Sequence, residues 1–278
     1  MGLIDRLRGW REQRALARRA IPDALWHATR LQLPFLHRLS PEDDAELRRL
    51  CSLFLDRKQF HGVDGLVVTD EMAVLIAAQA CLPVLRLGLG LYDSFVGIVV
   101  HRDQVVAHRV VAGDEIDDGG ELQVVHEYDE ELVGEAMRGG PVMLSWADVA
   151  DAAAGADWAY NVVIHEFAHV IDMADGEADG VPPMPDRAAR ERWIEVIDAE
   201  WEAFCERVDA GHDTVVDPYG AEAVEEFFAV AVEAFFVSAE GFRREMPRLY
   251  ELLAGWFRQD PAAQLSRFEG GGASGSRS

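Results

Sequence analysis

Asn161-Val162-Val163-Ile164-His165-Glu166-Phe167-Ala168-His169-Val170-Ile171-Asp172 sets a His-Glu-x-x-His pattern inside a run that is otherwise apolar. On an α-helix, residues four apart share a face, so His165 and His169 can point at one metal ion. Glu166 is turned about 100° from His165, which puts its carboxylate beside such an ion rather than on it. Two imidazoles and a carboxylate among valines, isoleucines and a phenylalanine are costly to bury unless something compensates them. A cation does so. A hydrolytic zinc site takes three protein ligands and leaves a position for water. The intervening glutamate is then placed to accept a proton from that water.

The third ligand has to come from elsewhere. The extended pattern His-Glu-x-x-His-x-x-Gly-x-x-His is not met, because Asp172 stands in the glycine slot and Asp175 in the last one. Asp175 stays a candidate, although a turn at that point wants glycine. Asp172 is seven residues from His165 and on the same face, which suits orienting a ligand or an ion pair at the helix end. The other source is the apolar stretch from Glu222 to Phe236. There Glu222, Glu226 and Glu233 share one stripe at spacings of four and seven, while Glu225 falls off it. An uncompensated carboxylate between phenylalanines is expensive. That favours Glu226 or Glu233 as the ligand, and the other as the hydrogen-bond partner that steadies a histidine.

Outward from this stretch the pattern is mostly helical. The motif helix is expected from about residue 157 to 174, with Gly176 ending it. Residues 1 to about 60 read as helices punctuated by Pro22, Pro34 and Pro41. Ser40-Pro41 caps one that runs to about Leu55, and Thr69 caps another from Met72 to about Cys81. The spacing predicts further helices over 187–208, 222–237 and 247–257. Residues 61–65 read as a turn-rich break. Val96 to Val100 and Val105 to Val111 look like the arms of a hairpin across His101 to Gln104, with further strands at 122–128 and 142–146 and an acidic loop at 113–120. Strands before the motif and helices after it predict an α+β fold with a small, mainly antiparallel sheet. The Gly- and Ser-rich residues 269–278 read as a flexible tail.

The chain has 278 residues, 49% of them hydrophobic and 27% charged, as a globular protein does. Its net charge of −24 excludes a nucleic-acid partner, since phosphate contacts need a basic footprint. No apolar run reaches membrane-spanning length. The first 19 residues carry six arginines and lack the apolar core of a secretory signal, so they read as a solvent-facing amphipathic helix. Cys51, Cys81 and Cys205 lie far apart without Cys-x-x-Cys spacing, which fits unpaired thiols in a reducing cytoplasm. His27, His37, His61, His101, His108, His126 and His212 show no ligand spacing with one another and read as surface or hydrogen-bonded residues.

Several separated segments together resemble one family. They are His165 to Asp172, Gly180-Val181-Pro182, Tyr219 seven residues before Glu226 in Glu226-Phe227-Phe228-Ala229-Val230, Glu233-Ala234-Phe235-Phe236, and Gly140 to Trp146. They look like the Mlc titration factor A family of zinc metallopeptidases, and the likeness runs from about Tyr92 to Asp260. That family is similar in site layout to the anthrax lethal factor protease domain. The resemblance implies a zincin-like metallopeptidase domain over 86–268, with residues 1–85 as an N-terminal helical region packed on it. It implies Zn2+ held by His165, His169 and Glu226, with Glu166 as the catalytic glutamate and Tyr219 as a site tyrosine facing the oxyanion. The same likeness implies a peptide substrate and aminopeptidase-type activity. It also implies an alternative: the family is named for sequestering the glucose repressor Mlc, so the chain can be a regulatory binding protein of a transcriptional repressor, with the zinc site secondary. Here Glu225 precedes Glu226 where relatives commonly have Ala or Pro.

Overall fold

Side chains of Ser40, Thr69, Asn161 and Asp186 cap the starts of four helices. The structure is a computed structural model that describes residues 3–102, 140–154 and 160–263. Helices α1 (Leu3–Arg18) and α2 (Asp23–Gln32) lead to α3 (Pro41–Arg57), where Ser40 Oγ accepts the Asp43 amide at 3.1 Å and Pro41 opens the first turn. Thr69 Oγ1 accepts the Met72 amide at 3.3 Å and starts α4 (Asp70–Cys81), which is buried almost throughout. Both starts lie where the sequence predicts them.

The sheet differs from expectation. Strands β1 (Gln59–Gly62), β2 (Gly97–His101) and β3 (Val142–Ser145) lie side by side in that order, and both pairings are parallel. The expected antiparallel hairpin is therefore corrected. β2 is flanked on both sides by parallel partners, which leaves no edge for an antiparallel arm. Parallel neighbours need a crossover rather than a tight turn, and α4 supplies one between β1 and β2. β1 replaces part of the expected turn at 61–65. Gln59-Phe60-His61-Gly62 has a single apolar residue, so it carries no alternating strand signal of its own. Residues 105–111, 113–120, 122–128 and the tail at 269–278 lie outside the described residues.

After β3 come α5 (Trp146–Ala154) and then α6 (Val162–Asp172), the latter carrying the His-Glu-x-x-His pattern. The motif helix, expected from about 157, begins instead at Val162, because Asn161 is extended and caps it. Beyond α6 a short 3-10 turn, Met173–Asp175, runs into Gly176, whose φ of 107° is left-handed as a helix-ending glycine requires. Helices α7 (Arg187–Asp209), α8 (Val224–Val237), α9 (Ala239–Glu245) and α10 (Pro247–Phe257) complete the described chain.

One apolar cluster runs through all of these elements. α6 sits at its centre, packed against β3, α4 and α8. The Phe167 ring of α6 lies 5.7 Å from Phe54 of α3, 5.0 Å from Tyr92 and 5.9 Å from Phe95. Arg38 donates to the Phe236 carbonyl at the end of α8, and Gln259 Nε2 donates to the Leu82 carbonyl at 2.9 Å. The first 85 residues thus share one core with the helices that carry the histidines and the glutamates. No described helix is long and apolar enough to cross a membrane.

Candidate metal centre

α6 and α8 cross so that His165 and His169 face Glu226 from the first turn of α8. His165 Nε2 and His169 Nε2 are 3.2 Å apart, and Glu226 Oε2 lies 3.2 Å from the first and 3.4 Å from the second. A zinc ion held tetrahedrally at about 2.05 Å spaces its ligand atoms about 3.3 Å apart. The triangle therefore has the dimensions of one face of such a tetrahedron. Its chemistry agrees. Two imidazole nitrogens that face each other cannot both donate, and Glu226 Oε2 is buried with no hydrogen bond aligned on it. These three residues are the ones that can hold a metal ion among the described residues.

His165 is fixed from behind. Its Nδ1 is 2.7 Å from Glu233 Oε1, so Nδ1 carries a proton and Nε2 is the nitrogen turned into the triangle. Of the two candidate carboxylates, Glu226 faces the pair of Nε2 atoms, while Glu233 lies behind the ring, almost fully buried. Burial alone would push the His165 imidazole down, but the carboxylates of Glu226 and Glu233 outweigh it and lift the pKa to about 10. Burial likewise raises Glu226, yet the two histidines outweigh that and hold it far below the usual carboxylate range. The centre is strongly polarised and ready to exchange a proton for a cation.

Sequence reasoning missed two members of this network. The Asn161 amide N–H donates to Glu233 Oε2, and Asn161 Oδ1 caps α6 by accepting from Ile164 N at 2.9 Å. Asn161 Nδ2 in turn donates to Gln79 Oε1 at 2.7 Å. The N-cap preference of asparagine was a usable signal for the first of these. Nothing local marks Gln79.

Glu166 is the one residue of Val163–Asp172 that is not buried. It is half-buried, next in sequence to the first of a buried histidine pair. Tyr219 lies in the 3-10 turn Pro218–Ala221, with its ring centroid 6.3 Å from that of His165. The turn is pressed onto α8 at Gly220, where a Cβ would come within 2.7 Å of Val230 Cγ2 and 3.1 Å of Phe227 Cα. Trp201 Nε1 anchors it further by donating to the Gly220 carbonyl at 3.0 Å.

Asp172 and Asp175 do not join the triangle. Asp172 is fully buried, and its Oδ2 accepts the Gly180 amide at 2.9 Å. Burial, against that hydrogen bond, pushes its pKa up to about 7. It fastens the loop after α6, where Gly180 also receives Trp193 Nε1 on its carbonyl at 2.9 Å. Asp175 is exposed and accepts from the Glu177 amide in its own turn. Among the remaining histidines, His27, His37, His61 and His212 are exposed, and His37 contacts the Arg30 carbonyl at 2.9 Å. His108 and His126 lie outside the described residues.

A family described as glucose-regulated metallo-peptidase M90 matches residues 7–258. The chain is similar to the uncharacterized protein slr2042 of Synechocystis, with 34% identity over 253 residues that span 91% of this chain and 89% of that protein. It is 32% identical over 247 residues to the Mlc titration factor A of Pectobacterium atrosepticum, spanning 88% and 89% of the two chains. To the Mlc titration factor A of Escherichia fergusonii it is 32% identical over 240 residues, or 84% and 86%.

Proposed function

The chain belongs to the glucose-regulated metallo-peptidase M90 family, and from that premise we propose that it is a cytoplasmic zinc peptidase of aminopeptidase type. The observation that carries the reading is the triangle of His165, His169 and Glu226, sized for zinc and closed by an otherwise unsatisfied carboxylate oxygen. Bound there, zinc would polarise the scissile carbonyl and make water nucleophilic near neutral pH.

The chain's own groups supply the rest. Glu233 keeps His165 in the tautomer that offers Nε2. Glu166, half-buried beside the histidines, takes the proton from the attacking water and returns it to the leaving amine. The Tyr219 hydroxyl donates to the oxyanion that develops on the carbonyl. β3 pairs with β2 on one side, and among the described residues no strand covers its other edge, so an extended peptide can add there beside α6. Glu222 and Glu225, neither of them buried, flank Glu226 and favour a substrate that brings a free, positively charged amino terminus.

Substituting Glu166→Gln tests this. The variant is expected to retain zinc while peptide hydrolysis falls by about 10²–10⁴-fold; hydrolysis at the wild-type rate overturns the assignment. A second reading has one observation in its favour, the name of the relatives as Mlc titration factors. On that reading the chain binds a transcriptional repressor of the Mlc type and the zinc site is secondary. A wild-type protein that cleaves no peptide but captures such a repressor establishes it.

A further inference from the structure

Gln79 is a buried amide in a helix that is otherwise apolar along its buried length. It lies on α4, in the N-terminal helical region, and is fully buried among Ala77, Ala78 and Ala80. Its Nε2 donates to the Leu75 carbonyl at 3.0 Å, and its Oε1 accepts from Asn161 Nδ2 at 2.7 Å. A polar side chain so placed is retained at a desolvation cost that an apolar isostere would avoid.

What it holds explains the cost. An asparagine side chain can present either its oxygen or its nitrogen to a given neighbour. Because Gln79 offers an acceptor, Asn161 must present Nδ2 to it, and Oδ1 is thereby turned to the Ile164 amide to cap α6. The main-chain N–H of the same residue grips Glu233 Oε2, while Glu233 Oε1 grips His165 Nδ1 at 2.7 Å. One side chain in the N-terminal region thus fixes the residue that sets both the entry of the motif helix and the carboxylate behind its first histidine. On the zinc reading given above, we infer that Gln79 is a positioning residue for His165, acting through Asn161 and Glu233. The N-terminal region is then part of the scaffold of the metal centre and not an appendage to it.

The test compares Gln79→Met with Gln79→Glu. Methionine fills the space with no polar atoms that can serve both partners. A buried neutral glutamic acid supplies a carbonyl for Asn161 Nδ2 and an O–H for the Leu75 carbonyl. Zinc affinity is read by competition with a chromophoric chelator, and the thermal stability of each metal-free form is read separately. Gln79→Met is expected to weaken zinc binding on the order of tenfold, and Gln79→Glu to restore it. In a Glu233→Gln background, Gln79→Met should weaken binding little further, because the link to His165 is already cut.

Should Gln79→Met fail to fold, Asn161→Ser serves in its place. It keeps a capping oxygen and the main-chain N–H but loses the donor to Gln79, and the same tenfold loss is expected. Either variant binding zinc as tightly as the wild type, or Gln79→Met lowering only the melting temperature, overturns the inference. So do effects of Gln79→Met and Glu233→Gln that simply add. A wild-type chain that binds no zinc overturns the zinc reading itself, and the inference with it.

Discussion

At the scale of single residues, the metal centre is a titration problem. Stripped of metal, His165 sits between Glu226 and Glu233, and although burial disfavours its charge, the two carboxylates raise its pKa to about 10. The folded value lies above the unfolded one of about 6.5. The ion-pair stabilisation is therefore full below about pH 6.5 and is lost as pH climbs toward 10. Glu226 works the other way: its folded pKa is depressed, so its contribution is present above the ordinary carboxylate pKa and disappears in acid. Metal-stripped protein should melt highest in mildly acidic buffer, and its Tm should fall between pH 6.5 and 10. A metal ion bound in the triangle would displace the proton from Nε2, so metal-loaded protein should not show that decline. Calorimetric scans across this range check the point; a Tm that stays level in the stripped protein contradicts it. The same residues show how far sequence reaches. His165, Glu166 and His169 come from a local spacing. Glu226 and Glu233 share a stripe, and only the crossing of α6 with α8 decides which carboxylate faces inward. Gln79 and Asn161 are 82 residues apart, and no periodicity links them.

Among the elements, the helices and the strands β2 and β3 were legible, whereas β1 and the parallel pairing were not. A cap such as Ser40 or Thr69 acts within one turn, so the residues that start a helix are next to it in sequence. Strand direction depends on a partner far along the chain, which is why valine-rich stretches either side of His101 to Gln104 suggested a hairpin where β2 instead lies between two parallel neighbours. The turn at 218–221 is an element whose role is likewise invisible until it is packed. Gly220 lets it approach α8 closely enough to bring Tyr219 beside His165. In Gly220→Ala the added methyl meets Phe227 backbone as well as the Val230 side chain, so the turn must lift. The variant should lose about 1–3 kcal/mol of stability, measured by denaturant unfolding. Because Tyr219 moves with the turn while the three ligand atoms do not belong to it, kcat should fall with zinc content unchanged. Zinc lost in step with activity would place the damage in the triangle instead.

Across the whole molecule, the question is whether residues 1–85, expected to pack on the remainder, unfold with it or apart from it. Chains well beyond 150 residues tend to unfold in parts, so separate transitions are the default for 278 residues. The contacts argue otherwise. Phe54 of α3 is fully buried with its ring 5.7 Å from Phe167, on the same helix as both histidines. Arg38 closes the carbonyl end of α8, the helix that carries Glu226 and Glu233. Gln259, just past α10, reaches back to the Leu82 carbonyl at 2.9 Å. Separating the two parts would expose these rings to water and exchange the hydrogen bonds of Arg38 and Gln259 for hydration, at a net loss of about 0.5–1.5 kcal/mol each and more for the charged donor. Thermal loss of helix, monitored by circular dichroism, and release of zinc, monitored with a metal indicator, should therefore coincide. Phe54→Ala should bring both transitions down together by about 3–5 kcal/mol, although Phe54 touches neither histidine. If zinc stays bound while the N-terminal helices melt, the two parts are independent.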